Sequence, residues 1–184
     1  MLKGTFLEGK ALRCCFKASV DGFSARSFHV HCDFKGPCVV VGMTDKGARF
    51  GGFSPRGFAS TDDYVDTLEA FLFYWPPSPS GSSTPEVLRK LGGSEAALFD
   101  YARGGPMFGT DGLVIGPPKS PVMGGFSGPE VSSSGVGDLK EARSRLGLSY
   151  QSRSDGKGSL FGEIGSATLT EVEVFCAPEI AKLY

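Results

Sequence analysis

Histidine is almost missing from this sequence. Two copies in 184 residues, His29 and His31, sit together in SFHVHCDFK. So few imidazoles leave most acid–base, nucleophilic and zinc chemistry short of a base or a ligand. Charge of either sign is not in excess: the net charge is −1, which excludes a global electrostatic pull toward nucleic acid or an anionic membrane. No apolar run approaches the roughly 20 residues of a membrane-spanning helix. The opening MLKGTFLEGK has no apolar core of a secretory signal, although a longer parent chain with its own targeting segment stays open. Cysteine is sparse and odd in number, five copies at 14, 15, 32, 38 and 176, with no CxxC pair. Free thiols in a reducing, cytoplasmic setting are the expectation.

What is abundant is glycine at 27, phenylalanine at 15 and proline at 12, against a single tryptophan. With 40% hydrophobic and 21% charged residues, the chain reads as one globular domain, mainly β, with an aromatic core. ALRCCFK at 11–17 alternates as a half-buried strand, with Leu12, Cys14 and Phe16 expected inward and Cys15 outward. Asp21 and Gly22 make a turn, and Ser24 is placed to cap a short helix that ends in HVHC. Gly36 and Pro37 stop that helix and launch CVVVGMT at 38–44, a strand buried on both faces. DKG at 45–47 turns it into ARFGGFS at 48–54, and AFLFYW at 70–75 is another buried strand. Thr84-Pro85 predicts a helix over EVLRKL, and Asp138 a second one over LKEARSRLG with a Leu139, Ala142 and Leu146 stripe. ALFDYA at 97–102 and MFGTDGLVIG at 107–116 read as strand, turn and strand. Residues 117–137 are a long aperiodic stretch, and ATLTEVEVFCA at 167–177 is a closing strand with a phase shift near Thr170.

The candidate chemistry is thin. On a helix, His29 and His31 point about 200° apart and cannot share one ion, so both are expected in structural or exposed roles. GGFSPRG at 51–57 and GGFSGP at 124–129 miss the GxSxG spacing of a hydrolase elbow. Cys32 and Cys38 have no helix N-terminus to activate a thiol. GVGDLK at 135–140 is half of a dinucleotide fingerprint, and GKGS at 156–159 interrupts a Walker loop. KGARFGGFSPRGF at 46–58 mixes Arg, Gly and Phe as RNA-binding sheets do, yet a core hairpin with a glycine bulge is the stronger reading. No catalytic, cofactor-binding or metal-binding residues are assigned.

Five motifs in order resemble the TLDc domain of the oxidation-resistance proteins: ALRCCFKASVDGFSARSFHVHC, DFKGPCVVV with DKGARFGGF, DTLEAFLFYW, RGGPMFGTDGLVIG and TEVEVF. The likeness spans about Leu12 to Cys176 within a single domain over 1–184, and the longer segments at 76–94 and 117–148 resemble plant members in particular. It implies a TLDc-like sandwich of two antiparallel β-sheets flanked by short helices. It also implies protection against oxidative stress and, since several members bind the vacuolar-type proton ATPase (V-ATPase), that enzyme's subunits as partners. The family supplies no catalytic residue. Asp21, Gly22, Ser24, Gly36, Pro37, Gly51, Gly52, Phe53 and Gly109 then read as scaffold, with Gly51, Gly52 and Gly109 allowing a bulge or a close sheet approach. Glu171 and Glu173 are either a solvated strand face or an acidic contact for a partner. The function expected is a non-enzymatic, monomeric module regulating the V-ATPase, without cofactor, nucleic acid or membrane insertion, located in the cytoplasm and held at the vacuolar surface through its partner. Direct action on peroxide as an antioxidant enzyme or sacrificial-thiol protein is the alternative, and RNA binding ranks third.

Overall fold

The computed structural model of the chain describes residues 1–77, 84–119 and 135–184. Most of the aperiodic 117–137 stretch and of the proline–serine segment after Trp75 lies outside the described residues. The elements in order are β1 (Arg13–Lys17), α1 (Ala18–Asp21), α2 (Ala25–Cys32), β2 (Cys38–Thr44), β3 (Arg49–Ser54), β4 (Asp63–Val65), β5 (Phe71–Tyr74), β6 (Glu86–Arg89), β7 (Leu98–Asp100), β8 (Met107–Phe108), β9 (Leu113–Ile115), β10 (Glu141–Arg143), β11 (Ser166–Cys176) and α3 (Pro178–Ala181). The expected mainly β architecture with short helices is what the chain adopts.

β11 organises the sheets. On one edge it pairs along Leu169–Cys176 with β2. On the other edge, Ser166–Thr168 pairs with β10 and the C-terminal half with β1. One sheet therefore runs β6-β5-β3-β2-β11-β1 and the other β4-β7-β8-β9-β10-β11, every pairing antiparallel. The register slips between Leu169 and Glu171, so the phase shift read near Thr170 is a bulge at the point where β11 passes between sheets.

The larger core lies between the sheets, with Phe16, Phe28, Val40, Phe50, Leu72, Phe108, Leu113, Tyr150, Leu169 and Val172 all buried. A smaller core of Leu7, Val39, Phe53, Phe71 and Phe73 covers the outer face of the first sheet, closed by Leu2, Leu12 and Ile180. Burial on both faces explains the unbroken apolar runs CVVV and FLFY. Glycines let the strands accept large rings. A Cβ on Gly51 would collide with the Val40 carbonyl and the Phe73 ring, and one on Gly52 would sit 2.5 Å from the Phe108 ring. The β2–β3 register runs through Gly51 and Gly52 without a slip. These two glycines thus serve close approach and make no bulge.

Four expectations fail, each for a physical reason. EVLRKL is not a helix: Glu86–Arg89 pairs with β5, placing Leu88 in the larger core and Val87 against the smaller one. Occupying both cores while pairing the edge of β5 requires a strand. LKEARSRLG is not a helix either. Glu141–Arg143 fills the gap between β9 and β11, and Leu139, Ala142 and Leu146 are all buried as the stripe suggested. In β1 the register slips between Cys14 and Phe16, which turns Cys14 to solvent and Cys15 toward the core, the reverse of simple alternation. Gly109 lies in the turn after β8 at φ +67° against Ser149, outside any strand.

Candidate functional site

The densest polar chemistry gathers where α1 and α2 pack over the ends of β1 and β11. Ser24 caps α2 by accepting from Ser27 N–H at 3.1 Å, and the Ala25 N–H donates to Gly137 O at 3.0 Å. These contacts fix the helix, and its last turn presents His29 inward and His31 outward. HVHC is thus a helix end, as its sequence implied, but its two histidines do different things.

His29 is buried at the centre of a knot. Its Nδ1 meets Asp33 Oδ1 at 2.8 Å and Ser60 Oγ at 3.0 Å, while Nε2 meets the carbonyls of Tyr101 at 3.0 Å and Gly104 at 2.9 Å. Ser60 Oγ also donates to Asp33 Oδ2 at 2.5 Å. Burial pulls the His29 pKa down, but Asp33 and the two carbonyls outweigh it, and the net shift is upward. An imidazolium donating from both nitrogens satisfies every acceptor present. The Ser60, His29 and Asp33 side chains do not form a nucleophilic triad. Serine and aspartate share one ring nitrogen, whereas a triad needs them on opposite nitrogens. His31 instead donates from Nδ1 to Ser27 O at 2.8 Å, with Nε2 at 3.7 Å from Asp21.

Glu171 and Glu173 face Lys17 across the β1–β11 ladder. Lys17 Nζ lies 3.4 Å from Glu171 and bonds directly to Glu173. Glu171 also accepts from Ser19 N–H at 3.1 Å and Ser19 Oγ–H at 2.5 Å. Burial pushes Glu171 up, yet the Ser19 and Val172 bonds and the Lys17 charge hold its carboxyl below the usual range. Both carboxylates are therefore engaged at home, Glu171 more tightly than Glu173.

Next to this surface lie the thiols, all five of them free, with Cys14 exposed and Cys32, Cys38 and Cys176 buried. The Cys15 Sγ donates to Val174 O at 3.3 Å. Cys38 and Cys176 are direct cross-strand partners. Cys32, Cys38 and Cys176 belong to the larger core, with Cys15 packed against them. The influence of the neighbouring Cys32 and then Cys176 thiols, helped by Lys35, outweighs burial and lowers Cys15 to about 7. Cys176 is pushed up to about 11 by burial and by Cys15, and burial raises Cys32 and Cys38 further. Cys14 is exposed, and burial of part of its thiol plus the Glu173 charge raise it above 9.0.

The scaffold residues fall into place around these groups. Asp21 Oδ2 accepts from Lys17 N–H at 2.8 Å, and Gly22 closes α1 at φ +98°. Gly36 at φ +68° and Pro37 redirect the chain from α2 into β2, and Phe53 is buried in the smaller core. Sequence reasoning missed Asp33, Ser60, Lys17 and Cys15. The i,i+4 spacing of His29 and Asp33 was a usable signal; nothing local marks Ser60. It also missed Asp100, whose Oδ2 accepts from the Ala59 and Thr61 N–H groups at 2.9 and 3.2 Å. Among the described residues, no group of three or more His, Cys, Asp or Glu side chains is placed to hold a metal ion. No described helix is long and apolar enough to cross a membrane.

Comparison with known proteins agrees with this architecture. No curated protein matches the chain. The family model of the TLDc domain matches residues 2–175, nearly the whole length. The chain belongs to the TLDc domain family, which is associated with resistance to oxidative stress.

Proposed function

We propose that this chain is a non-enzymatic TLDc module that protects against oxidative stress by binding and regulating the vacuolar-type proton ATPase. The observation that carries the reading is the TLDc match over residues 2–175; the ATPase as partner is what the resemblance to that family implies. The surface is suited to such a role. Val20 on α1, Val30 on α2 and Phe34 just after it are exposed at 76%, 74% and 61%. Lys17, Glu171 and Glu173 supply charge beside α1. Apolar centres flanked by charge are the usual anatomy of a protein interface, and a net charge of −1 argues against a purely electrostatic one.

The test offers immobilised domain to detergent-solubilised vacuolar membranes and identifies the retained subunits. Wild type retains ATPase subunits. Val30→Glu with Phe34→Asn, both exposed, lowers retention about tenfold or more, with an unchanged circular dichroism spectrum. Glu173→Lys lowers it less, because that residue belongs to the charged rim. Folded wild type that retains no subunit while consuming peroxide with turnover would replace this reading with the antioxidant one.

A further inference from the structure

We propose that the cationic cavity beside Trp75 binds a small, multiply phosphorylated group, held by Lys46, Arg49 and Lys157 against an aromatic wall. This goes beyond the ATPase reading and does not depend on it.

Three separate stretches of chain converge here. The DKG turn between β2 and β3 carries Lys46, and Arg49 opens β3. Trp75 follows β5, and its N–H donates to Arg49 O at 3.0 Å, which sets the indole beside the arginine. The Arg49 guanidinium lies over the Trp75 ring at 5.1 Å. The third stretch, 153–162, is held down by Arg153, which is only 6% exposed. Its guanidinium stacks on the Tyr74 ring at 3.9 Å and pairs with Asp155 through two bonds of 2.9 and 2.6 Å. It also donates to the Ser159 and Leu160 carbonyls at 3.4 and 3.2 Å, so the loop is built around a buried cation. Phe161 then packs edge-on against Phe50 at a ring separation of 4.9 Å. Between the three stretches lies a cavity of about 390 Å³, with Lys46, Arg49, Arg153, Lys157, Trp75 and Phe161 in its lining.

The charge in this cavity is one-sided: among the described residues, four cations line it and no carboxylate does. Asp155 neutralises Arg153, and its Oδ2 is 3.9 Å from Lys157 Nζ, beyond hydrogen-bond reach. Among the described residues, Lys46 and Arg49 make no ion pair. Lys46 also borders a second cavity, and Asp45 and Glu163 stand there, outside the first. Three cations with so little compensation repel one another, and the turn and the loop hold them together against that repulsion. A single carboxylate would balance one of them. A group with two or more phosphates balances all three and offers oxygens enough for ammonium and guanidinium donors. The size of the concavity fits a small molecule, and Trp75 and Phe161 supply the apolar wall such sites use to exclude water.

Trp75 is the only tryptophan, so the cavity reports its own occupancy. The experiment titrates the chain with sodium tripolyphosphate at low ionic strength and follows tryptophan fluorescence. Wild type shows a saturable change, and the same anion raises its urea midpoint, because it binds the folded chain alone. Added sodium chloride weakens both effects. Lys46→Glu with Lys157→Glu lowers the affinity about tenfold or more, with an unchanged circular dichroism spectrum. Arg143→Glu with Arg145→Glu, two arginines that line a different cavity, keeps the wild-type affinity. Phosphatidylcholine vesicles with and without phosphatidylinositol bisphosphate then separate the two sources of such a group. Co-sedimentation that needs the phosphorylated lipid assigns a headgroup, and its absence beside tripolyphosphate binding assigns a free anion. Folded wild type that gives neither a fluorescence change nor a midpoint shift, an equal response to sodium sulfate at the same ionic strength, or equal losses in the two double variants overturns the assignment.

Discussion

At the scale of the residue, His29 shows how one side chain can tie distant loops together. Its four partners come from the end of α2, the loop before β4 and the loop after β7. Replacing it with alanine leaves Asp33 and two carbonyls without their donor in a buried setting, a loss of about 3 kcal/mol. His31→Ala, at a half-exposed position, costs under about 1 kcal/mol. Urea titration of the two variants checks the contrast. The same knot predicts a pH dependence. A histidine pKa raised on folding contributes stability that is fully present below its ordinary value of 6.5 and is lost as pH rises through the higher folded value. Above that, a neutral ring keeps one N–H and must abandon either Asp33 or the two carbonyls. The urea midpoint should therefore fall from pH 6 to pH 8.5 in wild type, and the fall should shrink in His29→Gln. An equal fall in both proteins would show that other groups carry the dependence.

At the scale of the element, part of the abundance of glycine and phenylalanine has a shared explanation. Gly42 lies opposite Phe50 and Gly51 opposite Phe73 in neighbouring strands, while Gly52 faces Phe108 across the larger core. Each ring lies where a glycine has vacated the space, which restores the packing that a bare backbone lacks. Gly52→Ala should cost about 1–3 kcal/mol because the Phe108 ring must move. Combined with Phe108→Leu, the total loss should be smaller than the sum of the two single losses. Gly51→Val should have no such remedy, since the Val40 backbone carbonyl blocks it. Additive losses at Gly52 and Phe108 in a double-mutant cycle would break this account. The same close packing decided how much could be read from the sequence. CVVV and FLFY were legible because a strand buried on both faces is apolar at every position. The capped helix ending in HVHC was legible from Ser24 and the KGP stop. Glu86–Arg89 and Glu141–Arg143 were misread because their apolar spacing also fits a helix, and only the open edges of β5, β9 and β11 make them strands. The facing of Cys14 and Cys15 was misread because a single register slip between Cys14 and Phe16 exchanged them.

At the scale of the whole molecule, β11 makes two sheets into one folding unit. Its residues Ser166–Thr168 complete the second sheet and Leu169–Cys176 the centre of the first, and Leu169, Val172 and Val174 are buried in the shared core. Neither sheet can lose this strand without opening that core to water, so the sheets should unfold together. The molecule contains its own probe for the first sheet. Its single tryptophan, Trp75, lies against Phe73 at a ring separation of 5.4 Å, beneath the Arg49 guanidinium at 5.1 Å. Far-UV circular dichroism reports all strands of both sheets. In urea the two signals should trace one transition with a common midpoint. Val172→Ala, which removes two methyl groups from the middle of the shared strand, should lower both midpoints together by about 2 kcal/mol of stability. A fluorescence transition that precedes the dichroism change would mean that the first sheet opens alone. In that case β11 would be a hinge between two units that open separately.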